Sequence, residues 1–590
     1  MIDALTERLS EEPISFRHLR CSAYHQNSAL HPFAEYLESW LGIRREDSSA
    51  DKLRKLEGVL ATQDFPPAEG VQLLSGLLSL QLDERFSPLT LSPEAQRTRT
   101  LELLVALLLD SAEGRPAFII VEDLHWADPS TLAILGLLMD QAPTARVLAL
   151  FSFRPEFSPP WGTRAYVTPV LLNRLTRRLA TDMVDRLTRG KSLPAEIITQ
   201  VTSKSDGVPL FVEELISMVL ESGLVEVADD HYELTGPLPP LAIPSTLQDS
   251  LTARLDKLSL AREVVQLGAI LGREFSYELM QAVSPLSEDT LRSHLQQLVD
   301  TEFLYQRGSP PDAIYTFKHA LIQDAAYETL LRSTRQQYHQ RTATSLEKRF
   351  PELVESEPEM VAHHYTEAGL MEQAVYYWQL AGERALDAYA HEEAHAHFLR
   401  GIAAQGLALE DSESAEDGVA AALLFGLGRA QAATLTRHEM PKAHQSFSRA
   451  FDYYASVGDT ARVVAIAEFP FPQLSEYRAR SSGLITRALG LVPDESLEAG
   501  RLHSYHGNVQ GMADGDYDSA RESFVRALAI ARREGNTALE MRTLGFAAQV
   551  ELWHHQFEES LKSSLKAIDL ASASSDPRAE VAARYWACSS

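Results

Sequence analysis

The sequence is short of several things, and each shortage closes off a class of protein. Its 590 residues include two cysteines, Cys21 and Cys588. Two thiols cannot build a disulfide framework, so burial and hydrogen bonding must hold the fold, as in a reducing compartment. Cations are outnumbered, with 54 Lys and Arg against 82 Asp and Glu and a net charge of -28. A protein that coats duplex nucleic acid needs clustered Lys and Arg to release counterions, so the chain as a whole is not of that class. Long apolar runs are missing too. The most apolar stretch, residues 101–109, is too short to span a bilayer and has polar flanks. The opening residues, MIDALTERLSEEP, are acidic and hold no signal-peptide core. The expectation is a soluble cytoplasmic protein without a membrane contact.

What is present is ordinary globular material, 45% hydrophobic and 23% charged. The length is too great for one core and implies roughly three to five domains. Residues 1–172 read as alternating strands and helices. Residues 15–21 (SFRHLRC) form a short strand after a helix that ends near Ser10. The run FIIV at 118–121 is a strand buried on both faces, 146–153 (RVLALFSF) is another, and 167–172 is a fourth. Helical patterns at 32–41 and 99–111 separate them, and this alternation predicts a parallel sheet covered by helices. Residues 173–235 are mainly helical, and the Pro-rich string GPLPPLAIPS at 236–245 marks a linker. Residues 243–335 give three short helices and then a β-ribbon (EFLYQRG and AIYTFKH), the pattern of a winged helix.

From 336 to 590 the pattern is helical and repetitive. AGLMEQAVYYWQLAGERA, DGDYDSARESFVRALAIARREGN and WHHQFEESLKSSLKAIDLASASSD each hold a turn, a small residue (Ala374, Ala520, Ser560) and an apolar helical face. The spacing is near the tetratricopeptide period. A helix pair of this kind cannot bury its face alone, so neighbours must stack. The chain stops at YWACSS without a polar capping helix, so the array is expected to be cut at its C-terminus.

The strongest local signal is FIIVEDLHWADPSTLAIL, residues 118–135. Four apolar residues end in Glu122 and Asp123. A buried strand closing on two carboxylates is the Walker B arrangement. There the first acid reaches a Mg²⁺ shell and the second orients water against a phosphate. That chemistry needs a strand's carboxyl end, where an open α/β sheet forms its ligand crevice. Strands also end in acids for plainer reasons, opening a surface loop and capping the helix after Pro129, and spacing alone leaves both readings open.

The wider wording adds a resemblance. VEDLHWADPSTL followed by a strand and FRPEF resembles the STAND-type ATPase module of large bacterial regulators. The likeness is greatest to multidomain adenylate or guanylate cyclases that carry an ATPase module and tetratricopeptide repeats. CSAYHQNSALHPF (21–33), DGVPLFVEEL (206–215), IPSTLQDSLTARLDKL (243–258), LGREFSYELM (271–280) and YTFKHALIQDAAYETLL (315–331) resemble, in order, further segments of that family. The resemblance implies a multidomain α/β plus α fold. Residues 1–172 would be an incomplete P-loop NTPase core, 173–235 a helical lid, 243–335 a winged helix and 336–590 an α-solenoid of tetratricopeptide-like repeats. It also implies ATP or ADP with Mg²⁺ as ligand. Glu122 would hold the metal through water and Asp123 would orient the attacking water. Arg154 would sense the γ-phosphate, Pro209 would pack on adenine and His319 would contact the β-phosphate. Each of the last three has a plainer reading: a loop Arg before Pro155, a helix-start Pro, and a structural His before a helix.

No string matches the phosphate loop G-x-x-x-x-G-K-[ST]. The nearest, Gly190-Lys191-Ser192, lacks the leading Gly and follows the acidic strand instead of preceding it. In the resembling family the loop comes just before a helix like residues 4–9, so Met1 would lie inside the helix that the loop opens. Weak or absent ATP binding is therefore expected of this chain, with an exposed apolar groove where the loop's strand would sit. No cyclase catalytic domain is visible, so its catalytic status as an enzyme stays open.

Two competing sites can be weighed. His391-Glu392-Glu393-Ala394-His395 matches the zincin string H-E-x-x-H. Ala394 and Phe398 also fit a repeat helix, and no third ligand is identifiable. The winged helix is a fold that binds DNA elsewhere. Acidic balance argues against that here, and Arg332, Arg335 and Arg341 fit a solvated helix face. Two functions follow: a nucleotide-switched signalling ATPase whose repeats receive a protein partner and which self-associates, or a non-catalytic repeat scaffold on a degenerate core.

Overall fold

The computed structural model describes residues 2–589 apart from 44–46, 62–64, 79, 81, 84, 87–88, 90, 92, 110–114, 229, 237–245, 259–260, 410–413, 471–474, 575–583 and 586. The chain divides into two compact units. Residues 1–26, 30–87 and 100–374 form one, and residues 27–29, 88–99 and 375–590 form the other.

The first unit is organised by a parallel sheet of β1 (Ser15–Arg20), β2 (Ala117–Glu122) and β3 (Val147–Phe151), in that order. β2 is central: Phe118 stands in register with Phe16 on one side and Leu148 on the other. Ala117, Phe118, Ile119, Ile120 and Val121 are all buried, as a continuous apolar run between two helix layers demands. Helix α1 (Ile2–Leu9) precedes β1. Between β1 and β2 come α2 (His31–Leu41), α3 (Ser49–Leu60), α4 (Pro67–Leu77) and α5 (Pro93–Leu109), and α6 (Pro129–Gln141) joins β2 to β3. α6 starts where it does because Asp128 accepts a hydrogen bond from the Thr131 amide at 2.8 Å and Pro129 fills the first helical position.

Residues 167–172 do not form the expected fourth strand. They are irregular, with Val170 76%, Leu171 75% and Leu172 67% exposed. A strand exists only with a hydrogen-bonded neighbour, and none faces this segment among the described residues. β3 is accordingly an edge strand there, and Leu148 on it is 59% exposed. Beside that edge lies an apolar cavity of about 260 Å³, lined among others by Leu9, Ile14, Phe118, Val147 and Leu148.

Three helices follow, α7 (Arg177–Leu187), α8 (Ala195–Lys204) and α9 (Pro209–Glu221), around a core that includes Val184, Ile197, Val201, Val212 and Leu215. A hairpin of β4 (Val225–Val227) and β5 (Tyr232–Leu234) closes this part. Of the Pro-rich linker at 236–245, residues 237–245 lie outside the described residues.

The next elements are α10 (Leu247–Lys257), α11 (Ala261–Leu271), β6 (Glu274–Ser276), α12 (Tyr277–Val283), α13 (Glu288–Asp300), β7 (Leu304–Arg307) and β8 (Ile314–Phe317). The strands pair antiparallel in the order β6-β8-β7 over a core that includes Phe275, Tyr315 and Phe317. This is a winged helix, with one helix and one short strand more than the sequence pattern suggested. It is fastened to α9 by a buried ion pair, in which Arg254 donates to Glu214 at 2.5 Å. Helices α14 (Ala320–Glu328), α15 (Arg332–Arg349), α16 (Pro351–Ser356) and α17 (Pro358–Ala368) complete the unit, and α18 (Met371–Asp387) leads out of it.

The second unit is a helical array: α19 (His391–Gln405), α20 (Gly418–Thr434), α21 (Met440–Val457), α22 (Thr460–Ala467), α23 (Ser475–Leu489), α24 (Leu497–Val509), α25 (Tyr517–Arg533), α26 (Thr537–Trp553) and α27 (Phe557–Ser574). Sequence neighbours stack, α19 on α20, α20 on α21, and α24 to α27 in series. The small residues of the repeat pattern, Ala374, Ala520 and Ser560, are all fully buried. Close approach explains the need for smallness. The Phe398 ring stands so near α20 that a Cβ at Gly426 would lie 2.2 Å from it.

Candidate functional site

The carboxyl end of β2 carries the two acids named from the sequence. Glu122 is the last residue of the strand, and its Oε1 lies 2.6 Å from Nε2 of His18 and 3.4 Å from Nε of Arg20, both on β1. Parallel register produces this grouping, since Arg20 stands opposite Glu122. The hydrogen bond from His18 holds the Glu122 carboxyl below the usual carboxylate range, with burial working against it.

Asp123 leaves the strand in the left-handed region, at φ 57°, which few residues other than glycine adopt. Its amide donates to Ser152 Oγ at 3.2 Å, just past the end of β3. Its Oδ2 accepts from Nη1 of Arg273 at 2.6 Å. Arg273 directly precedes β6 of the winged helix, so the acid of the core is paired with a cation from another fold element.

Arg154 and His319 have neighbours from that edge. Arg154 follows β3, with its guanidinium 5.2 Å from the Trp126 ring centroid. It also acts electrostatically on Asp324 of α14, whose carboxyl is pushed up by burial and pulled down by Arg154. His319 caps α14 in extended backbone, and its Nε2 is buried without a hydrogen bond. Burial keeps its imidazole below the usual range, against Glu213 and with help from Lys318 and Arg273. Pro209 is the first residue of α9 and is exposed. One turn along α9, Glu213 accepts from Lys318 at 2.8 Å. Asp123, Arg273 and His319 thus share one wall, with Arg154 and α9 beside it. Among the described residues, no contact places Pro209 against the acid pair.

His18, Arg20, Arg273 and Asp324 were not singled out from the sequence. Arg273 and Asp324 had a signal, since they lie in the LGREFSYELM and YTFKHALIQDAAYETLL segments. Gly190-Lys191-Ser192 serves a different purpose from a phosphate loop. Gly190, at φ 80°, closes the turn after α7 with its amide on the Asp185 carbonyl, and Ser192 bridges to His231. The H-E-x-x-H string lies on α19 with Ala394 and Phe398 fully buried. Among the described residues, no cluster of three metal-ligand atoms includes His391 or His395.

Two carboxylates at the end of a central strand are hard oxygen donors that fit Mg²⁺. The phosphate-loop motif, a run of amides and a lysine to hold phosphates, has no counterpart in the sequence. Protein cations already neutralise both acids.

Residues 1–150 match the family model of the AAA ATPase domain. The stretch similar to that domain holds the parallel sheet, and the winged helix and the helical repeats follow it. An uncharacterized protein of Rhizobium meliloti (strain 1021) is 30% identical over 306 residues, 51% of this chain and 29% of that protein. The chain thus spans less than a third of this relative's length. A crystal structure of a Signal Transduction ATPase with Numerous Domains (STAND) protein with a tetratricopeptide repeat sensor, from Pyrococcus horikoshii, aligns over 100% of this chain and 85% of that one. It does so at 12% identity and a TM-score of 0.34. Among the described residues no helix is long and apolar enough to cross a membrane.

Proposed function

We propose that this chain is the nucleotide-switch region of a STAND-type signalling ATPase, in which the winged helix reports the state of the Walker B edge to the repeats. The observation that carries this reading is the Arg273–Asp123 pair at 2.6 Å, which couples the acid that would orient water to a separate element. Glu122 would hold Mg²⁺ through water. Arg154 and His319 would face the phosphates of ATP or ADP, and Pro209 would pack on adenine. A Mg²⁺-nucleotide supplies the positive charge that Arg273 now provides at Asp123, so nucleotide and winged helix compete for one carboxylate. The repeats would receive a protein partner, and a cyclase or another output domain would belong to the longer protein. Without a G-x-x-x-x-G-K-[ST] string the chain itself binds ATP weakly.

The second reading is a repeat scaffold on a core that no longer uses nucleotide. It draws support from the same neutralised acids. Hydrogen–deuterium exchange with excess Mg-ADP separates the two. The switch reading expects altered exchange at residues 120–126, 152–154 and 271–276 together. Unchanged exchange at all three leaves only the scaffold.

A further inference from the structure

The segment after β1 and the turn between α16 and α17 bring together two imidazoles and a carboxylate that the nucleotide edge does not use. We propose that His25, His31 and Glu357 form a binding site for one divalent transition ion of the zinc class.

The spacing argues for this directly. His25 Nε2 lies 3.5 Å from Oε2 of Glu357, and His31 Nε2 lies 3.8 Å from its Oε1. Charge-assisted hydrogen bonds are shorter, about 2.7–2.9 Å. Two ligands each 2.0–2.2 Å from a tetrahedral zinc stand about 3.3–3.6 Å apart. The His25–Glu357 separation matches such an edge, the His31–Glu357 one is slightly longer, and one ligand atom from each of the three residues lies within 4.8 Å of the others.

The surroundings agree. The two rings are stacked, with centroids 3.6 Å apart and planes 9° from parallel, and each turns its Nε2 to a different oxygen of one carboxylate. Neither ring nitrogen of His25 makes a hydrogen bond among the described residues. Burial lowers the His25 pKa, but Glu357, Glu359 and Glu35 outweigh it and pull it upward. His31 is driven the other way, to about 3, by burial and by His25. Glu35 and Glu359 make the locality rich in carboxylates. Imidazole donors favour zinc, cobalt or nickel over magnesium or calcium. The backbone holds the ligands in place, since His31 opens α2 and Glu357 precedes α17. An ion here ties the segment after β1 to α17 and leaves a further position for water.

The test uses the full chain, stripped with a chelator and titrated with Zn²⁺ against a chromogenic competitor. One equivalent should bind and raise the melting temperature. Glu357→Gln and His25→Gln should each weaken binding about 10- to 100-fold, while the double substitution His391→Ala and His395→Ala should leave it unchanged. Because a variant can fail to fold, Zn X-ray absorption on the unaltered chain supplies a second readout, expected to show two imidazoles and an oxygen donor. Substoichiometric binding by the unaltered chain, loss of the equivalent in the His391 and His395 variant, or a first shell without imidazole overturns the proposal.

Discussion

Arg273 of the winged helix donates to Asp123 at the end of the central core strand, Nη1 to Oδ2 at 2.6 Å, across 150 positions of sequence. Both side chains are about 30% exposed (29% and 31%), so the pair acts as a latch of modest strength. Removing either partner should release the winged helix from the core edge without unfolding it. A double-mutant cycle of Arg273→Ala and Asp123→Asn should give a coupling of about 0.5–1 kcal/mol, read from exchange at 271–276. Zero coupling would mean that the contact does no holding.

Gly207 tests the lid turn. It sits at φ +70°, and a Cβ there would lie 2.2 Å from the Leu175 carbonyl oxygen, which belongs to backbone that cannot swing aside. The Leu175 amide also donates to the Gly207 carbonyl at 2.7 Å. Gly207→Ala should therefore destabilise this part of the chain by about 2–4 kcal/mol, combining left-handed strain with the clash. Limited proteolysis should show earlier cutting within 175–235, and wild-type resistance would contradict the assignment.

A buried histidine pair sets an acid limit on the first unit. Nδ1 of His339 lies 2.8 Å from Nδ1 of His364, and Tyr327, His363 and Arg335 surround them. Burial first, and then His363 and Arg335, hold His339 down at about 3, and His364 is likewise well below the ordinary range. Both stay neutral in the fold but gain protons near pH 6.5 when unfolded. The unfolded state binds more protons over the window from about 6.5 down to about 3, so stability falls as pH drops through it, by up to about 1.4 kcal/mol per pH unit for each histidine. His364→Gln should flatten the slope of melting temperature between pH 7 and pH 5, and an unchanged slope would assign the loss elsewhere.

The unpaired edge of β3 predicts association. Leu148 is exposed on it, Val170, Leu171 and Leu172 are exposed in the segment that follows β3, and an open apolar edge invites another strand. Leu148→Lys combined with Leu172→Lys should lower the sedimentation-average mass relative to wild type. A monodisperse wild-type monomer at the same concentration would exclude this route to self-association.

How far the sequence foretold the molecule depends on the range of each interaction. The run at 118–121 announced a central strand because burial on both faces leaves no polar residue to interrupt it. Ala520, Ser560 and Ala374 announced stacked helices because close packing excludes larger residues. The run at 167–172 looked equally strand-like, yet apolar composition only permits a strand, and a hydrogen-bonded neighbour is what makes one. The acids Glu122 and Asp123 were readable as a pair, but their partners were not. His18 and Arg273 meet them through sheet register and the docking of a winged helix, neither of which leaves a local pattern. The His25, His31 and Glu357 cluster was hidden for the same reason.

Equilibrium titration of Mg-ATP into the unaltered chain tests the nucleotide reading most directly, with Asp123→Asn alongside. The expected result is millimolar affinity, saturable and weakened further by the substitution, because the metal donors are present and the phosphate-holding loop motif is not. Micromolar affinity, or weak binding indifferent to Asp123, would contradict it.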